Sequence, residues 1–336
     1  GVSVATGLLI AGLGGGTLIA ALAKENGALL PLLALVILWL WCPRERRLRG
    51  GLDRAVLVLL ALVPSALVLA YLAAKIPVIF EHGYGAHRDF TPSGRLMSQP
   101  VILLDYLRNL LIPRAATVTP FMDRLPAPSG WFDPPLTLVA ALFWPALLLL
   151  AIWLRRKAPY VLFGLAFFLV GHLIESSLIG LELYFAHRNY VPAFGLYFAL
   201  VYAATRVPKT YRRLAVAGLA IYALSFAAVL SQVTLGWSQP HVSGELWLHR
   251  HPHSERAAQF LAAQYLETGD SRTARRILDA TARQNPELAM IQVQRTHICI
   301  GREEEFSGLL AEVTERLRKT SLLQIHAASE LQRAAT

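Results

Sequence analysis

Seven apolar runs limit what this chain can fold into. They lie at about 2–22, 27–41, 55–74, 136–154, 159–181, 190–206 and 214–235, and most approach the roughly 20 residues that a helix needs to cross a hydrocarbon layer about 30 Å thick. Inside lipid every backbone N–H and C=O must find a partner within the chain, which a helix achieves in a single segment. The reading is an all-α chain: a polytopic transmembrane helical domain over 1–237 with about seven spans, the 27–41 run being short and needing its flanks. A composition of 55% hydrophobic and 16% charged residues, with mean hydropathy +0.45, is too oily for a soluble domain and agrees with this. Beyond Trp237 the sequence becomes rich in Ala, Glu, Gln and Arg, so a helical extramembrane domain is expected at 240–336.

The chain opens Gly1-Val2-Ser3 and enters an apolar run directly, without Met or a basic leader, which is read as an N-terminal truncation. Its two cysteines, Cys42 and Cys299, fall in different kinds of sequence and suggest neither a disulfide nor a metal site.

Lysine and arginine in short loops are retained on the cytoplasmic side. Three connections qualify: Arg44, Arg46, Arg47, Arg49 and Arg54; Arg155, Arg156 and Lys157; and Arg206, Lys209, Arg212 and Arg213. Alternation of the spans then puts three segments outside: Lys24-Glu25-Asn26-Gly27, a loop at about 76–135 and the Glu182–Pro192 turn. The C-terminal domain is expected on that side as well. Much of the net charge of +10 is thus topological, and a nucleic-acid partner is not expected.

Ionisable groups between apolar spans are costly, so their gathering on one expected face is informative. Lys24 and Glu25 read either as part of a site or as an ion pair ending a helix. Glu175 and Glu182, seven residues apart, share a face if the helix continues through Gly180, and read as pocket walls or as interfacial carboxylates reaching for water. Arg188, in His187-Arg188-Asn189-Tyr190, carries a fork suited to phosphate, or else anchors the interface beside Tyr184, Phe185 and Tyr190. In the outer loop Met97–Ile112 has the period of an interfacial helix, with Arg95 before it and Tyr106 and Arg108 within it. His82, His87 and Asp89 match no tight ligand spacing.

In the C-terminal part Ala262, Tyr265, Gly269, Ala274, Leu278 and Pro286 fall near tetratricopeptide spacing, with a degenerate second repeat and a capping helix from about Glu287 to Arg333. Such a module binds protein segments or rests on the membrane domain.

Taken in order, AKENGALLPLLAL, RLMSQPVILLDYLRNLLIP, ELYFAHRNYVPAFGL and a tetratricopeptide tail resemble the bacterial relatives of the transmembrane-and-tetratricopeptide protein O-mannosyltransferases, in the GT-C superfamily. Their Lys-Glu-x-Gly element is matched by Lys24-Glu25-Asn26-Gly27. Their Arg-x-x-Tyr-x-Pro-like element is matched, with the spacing shifted by one, by Arg188, Tyr190 and Pro192. The resemblance implies an inverting glycosyltransferase in a bacterial inner membrane, with its C-terminal domain periplasmic. It would move a sugar from a polyprenyl-phosphate donor to a hydroxyl of an exported protein recruited through the repeats. An acidic residue would act as base, and Lys24, Arg95 and Arg188 would hold the phosphate, with Tyr106, Glu182, His187 and Tyr190 around the pocket. The usual acidic residue lies in a first external loop that this chain is expected to lack, which leaves Glu25, Glu175 and Glu182 as candidates and an inactive piece as an alternative. Where related sequences carry an acid before the His-Arg-Asn-Tyr run, this chain has Ala186. No cofactor is implied except a candidate divalent cation, and no metal ligand is assigned. Two rival readings are an O-antigen polymerase or ligase-like glycan transferase and a non-enzymatic scaffold.

Overall fold

The computed structural model describes residues 4–41, 51–85, 88, 90–115, 119–123, 125–286, 288–298 and 303–319. Cys42, Arg44, Arg46, Arg47, Arg49, His87, Asp89, Glu287, Cys299 and the end of the expected capping helix lie outside them. Among the described residues the chain is helical, without a strand; Gly130 and Asp133 form an isolated bridge. It divides into two compact units. The first comprises Gly1–Gly83, Pro92–Ile112 and Ala127–Ser225, and the second Tyr84–Thr91, Pro113–Pro126 and Phe226–Thr336.

The first unit contains α1 (Val4–Leu9), α2 (Gly16–Ala23), α3 (Leu30–Trp41), α4 (Gly51–Leu57), α5 (Val63–His82), α6 (Pro92–Leu111), α7 (Leu136–Leu154), α8 (Pro159–Gly171) and α9 (Tyr190–Thr205). The helix α10 (Arg212–Trp237) begins in it and ends in the second unit. Wide π turns at Ile10–Gly15 and Val58–Leu62 join α1 to α2 and α4 to α5, and Gly14 lies against the Leu60 side chain.

Among the described residues four helices are long and apolar enough to cross a membrane: Thr6–Ala23, Arg54–His82, Leu136–Leu154 and Lys209–Trp237. They coincide with four of the seven apolar runs. The remaining runs fold as shorter helices, Glu25–Leu40 and Pro159–Gly171, and α9 with 16 residues. The run expected at 159–181 stops being helical at Gly171, so Glu175 and Glu182 do not share a helix face. Residues 172–185 instead form an irregular segment, much of it buried, between α8 and α9.

Glycine permits the close approach of α8 to α9. A Cβ on Gly164 would stand 2.8 Å from Ala199 Cβ, one on Gly171 2.8 Å from Pro192 Cγ, and one on Gly195 2.5 Å from Phe167 Cβ. Small residues at such crossings let helices pack without help from the hydrophobic effect, which lipid does not supply. Leu33 of α3 joins Phe163 and Phe167 of α8 in the core beside this crossing.

The second unit holds α11 (Pro240–Arg250), α12 (Glu255–Glu267), α13 (Ser271–Gln284), α14 (Ala289–His297) and α15 (Glu303–Lys319). Consecutive helices pair, as expected for helical hairpins. Ser254 and Asp270 cap α12 and α13 through Ala257 N–H and Thr273 N–H, and Gly269 takes φ +83° in the turn between them. Ala262, Ala274 and Leu278 are buried in one core with Ala282, Leu288 and Ile291, against which Tyr265 packs.

Candidate functional site

The site is built on a turn, a helix and a loop of the first unit. After α2 the backbone extends at Lys24 (φ −159°, ψ 145°) and folds back in a 3-10 turn, Glu25–Leu29. The fold-back is so tight that a Cβ on Gly27 would lie 2.0 Å from the carbonyl carbon of Ala20. The Lys24 ammonium is thereby held at the tip of the α2–α3 hairpin.

Opposite it stands the 172–185 loop, whose irregular backbone is satisfied by α6. Arg95, fully buried, donates from Nε to the Ser177 carbonyl at 2.7 Å, from one terminal nitrogen to the Glu175 carbonyl at 2.6 Å, and from the other to the Leu181 carbonyl. Three carbonyls with no helical partner are thus met by one guanidinium, whose five donors suit such a fork. One turn of helix away from the buried stretch around Ile102, the Tyr106 hydroxyl accepts from Phe185 N–H at 2.7 Å and lies 3.1 Å from the Phe185 carbonyl, to which it donates. Burial pushes the Tyr106 phenol up to about 12. Tyr184 donates to the Asp105 carboxylate at 2.8 Å.

Into this frame the loop delivers Glu175, whose side chain is only 2% exposed. Lys24 Nζ approaches its Oε1 at 3.1 Å, and Arg188 Nε approaches its Oε2 at 3.5 Å. Arg188 also donates to the Glu182 carbonyl at 2.7 Å and stacks over the Phe185 ring at 5.2 Å. A buried carboxylate is tolerable when flanked by opposite charge in this way, because removing it from water alone costs several kcal/mol. Lys24 keeps 44% of its side chain exposed, so its ammonium has donors directed away from Glu175.

Of the residues expected at a site, Lys24, Glu175 and Arg188 therefore meet. Arg95 lies within reach of the same loop but grips backbone carbonyls. Tyr106 is buried beneath the loop, and Glu182 contributes its carbonyl. Glu25 is exposed beside Lys24, and His187 and Tyr190, the latter 88% exposed, face outward. Sequence reasoning passed over His172. It is buried, stacked on Tyr106 at 5.3 Å and edge-on to Phe168 at 4.7 Å, and its ring nitrogens make no hydrogen bond among the described residues. A polar residue just past the last helical turn of an apolar run was the available signal. His82 is exposed, its Nδ1 3.0 Å from the Val78 carbonyl. No group of three His, Cys, Asp or Glu side chains able to hold a metal occurs among the described residues.

Comparison of the chain with protein-family models, with characterised proteins and with solved structures gives no match.

Proposed function

We propose that this chain is a membrane glycosyltransferase of the GT-C kind, which passes a sugar from a polyprenyl phosphate to a hydroxyl of an exported protein at the outer face of a bacterial inner membrane. The observation that supports this most is the meeting of Lys24 and Arg188 on Glu175, in a protein whose apolar helices are long enough to cross a bilayer. An excess of cationic groups next to apolar helices suits a ligand that is a phosphate at one end and hydrocarbon at the other. In this reading Lys24 takes the phosphate on its open side. Arg188, held by Glu175 and the Glu182 carbonyl, adds positive potential behind it, and Arg95 keeps the loop in shape instead of touching the donor. In the reaction the acceptor oxygen bonds to the anomeric carbon, the bond from that carbon to the phosphate oxygen breaks, and the phosphate leaves with the electron pair. A carboxylate takes the hydroxyl proton. Glu175 is too deeply enclosed to meet an acceptor, so Glu25 or Glu182 fills that role.

The same reading takes α3, α8 and α9 as completing seven spans, and the second unit as a tetratricopeptide-like module that recruits the acceptor. The recurrence of its helices supports the latter. The starts of α12 and α14, Glu255 and Ala289, are 34 residues apart, which is the period of that repeat.

The test is protection of Lys24 from an amine-reactive reagent in the bilayer-reconstituted chain, read by mass spectrometry, with polyprenyl phosphate compared against polyprenol. Protection by the phosphate alone, lost in Arg188→Met, supports the assignment. Equal labelling with both lipids sinks it.

A further inference from the structure

We infer that the Trp131–Phe132 turn is an anchor seated in the membrane–water interface, fixing the depth of α7; this rests on the chain being a membrane protein and not on its chemistry. The turn is short and tied. Ser129 N–H donates to the Asp133 carbonyl at 3.2 Å, Asp133 N–H to the Gly130 carbonyl at 3.3 Å, and Ser129 Oγ to the Asp133 carboxylate at 2.6 Å. Such a closed turn carries its two central side chains outward, and both are large and aromatic: Trp131 is 43% exposed and Phe132 76%. A soluble surface gains nothing from displaying such a pair on a stiff tip, whereas aromatic rings are enriched where headgroups meet hydrocarbon.

The surroundings identify the partner as lipid. Exposed apolar side chains continue from the turn down one face of α7 through Leu136, Val139, Leu142 and Leu149 to Trp153, while Trp144 on the other face is buried and donates to the Pro100 carbonyl at 2.9 Å. Leu136 and Trp153 lie about 26 Å apart at 1.5 Å per residue. With the turn added, the two aromatic ends are separated by about the 30 Å of a hydrocarbon core. Arg155, Arg156 and Lys157 follow Trp153 after Leu154, where the far headgroups would lie, and Asp133 and Ser129 supply the polar edge at the near end. An aromatic residue at each end, an unbroken oily face between them and polar groups beyond both match a bilayer in dimension and order.

The test uses the whole chain reconstituted in phosphatidylcholine bilayers brominated either near the headgroup end or near the methyl end of the acyl chains. Subtracting the emission of Trp131→Phe from that of the native chain isolates Trp131. The expected component is blue-shifted relative to an indole in water and loses more intensity to the shallow bromines than to the deep ones. A component that neither lipid quenches, or that the deep bromines quench more, overturns the anchor. If Trp131→Phe does not fold, the emission gained by Phe132→Trp is read against the same two lipids and judged in the same way.

Discussion

Glu175→Gln keeps the shape of the side chain but leaves Arg188, with its side chain 6% exposed, buried without a counter-charge. Breaking a buried pair from one side costs about 3 kcal/mol or more, so a large fall in thermal stability in detergent is expected. Lys24→Met, at the half-exposed partner, is expected to cost less than about 1 kcal/mol. In the double variant Glu175→Gln/Arg188→Met the buried charge that Glu175→Gln alone strands is removed, and stability is expected to rise above that of Glu175→Gln alone. Equal losses for Glu175→Gln and Lys24→Met would show that Arg188 does not depend on the carboxylate. Tyr106 gives a pH signature. Its phenol is pushed from the ordinary 10.0 to about 12, so the folded state holds a proton that the unfolded state gives up first. That contribution is whole below pH 10 and fades as pH rises toward 12. Tyr106→Phe should therefore be less stable at neutral pH, by about 1–3 kcal/mol for the lost bonds to Phe185, and should lose stability less steeply between pH 10 and 12 than the native chain. Lys24 and Arg188 were legible in the sequence because charge stands out among apolar spans. The work of Arg95 was not, since its partners are main-chain carbonyls 80 to 86 residues away and carry no side-chain signal.

Elements were legible where composition decides them and illegible where tertiary contacts override it. Residues 172–181 are apolar enough to prolong α8, yet Arg95 takes carbonyls that a continuing helix would have used, and Gly171 packs against Pro192 at the point where the helix stops. Hydropathy is blind to both. Glycines carry a comparable hidden constraint. Gly27→Ala would drive a Cβ into the Ala20 backbone, whereas Gly218→Ala meets nothing within 4 Å. The first is expected to abolish the α2 fold-back and the native elution peak in gel filtration, and the second to leave both intact. In the second unit Ser254 caps α12 and also donates to Asp123 at 2.6 Å, while the Asp123 carboxylate accepts from Arg256 N–H at 3.2 Å. Ser254→Ala should cost about 1–2 kcal/mol, which Ser254→Asn at the cap would partly restore if the capping bond is what matters.

At the scale of the whole chain the depth of the α8–α9 hairpin decides on which side the site lies. Gly171 faces Pro192 and Gly164 faces Ala199, so the two helices run antiparallel and the chain returns to the side from which it entered. Arg155–Lys157 and Arg206 are therefore on one side whatever the depth. At 13 and 16 residues the helices rise only about 20 and 24 Å, less than a full hydrocarbon core, so the 172–189 loop must complete the crossing or remain inside it. Its carbonyls that Arg95, Arg188 and Tyr106 supply with donors would survive at either depth. The proposed donor site requires the loop to reach the outer face, and single cysteines in a Cys42→Ser/Cys299→Ser background decide this. His187→Cys and Gly130→Cys are expected to react with a membrane-impermeant maleimide added outside intact spheroplasts, and Lys157→Cys only after lysis. If His187→Cys reacts only together with Lys157→Cys, the hairpin dips into the membrane from the cytoplasmic side. Lys24, tied to Glu175 at 3.1 Å, would then lie with it on the wrong side for an exported acceptor, and the function proposed here would fall with it.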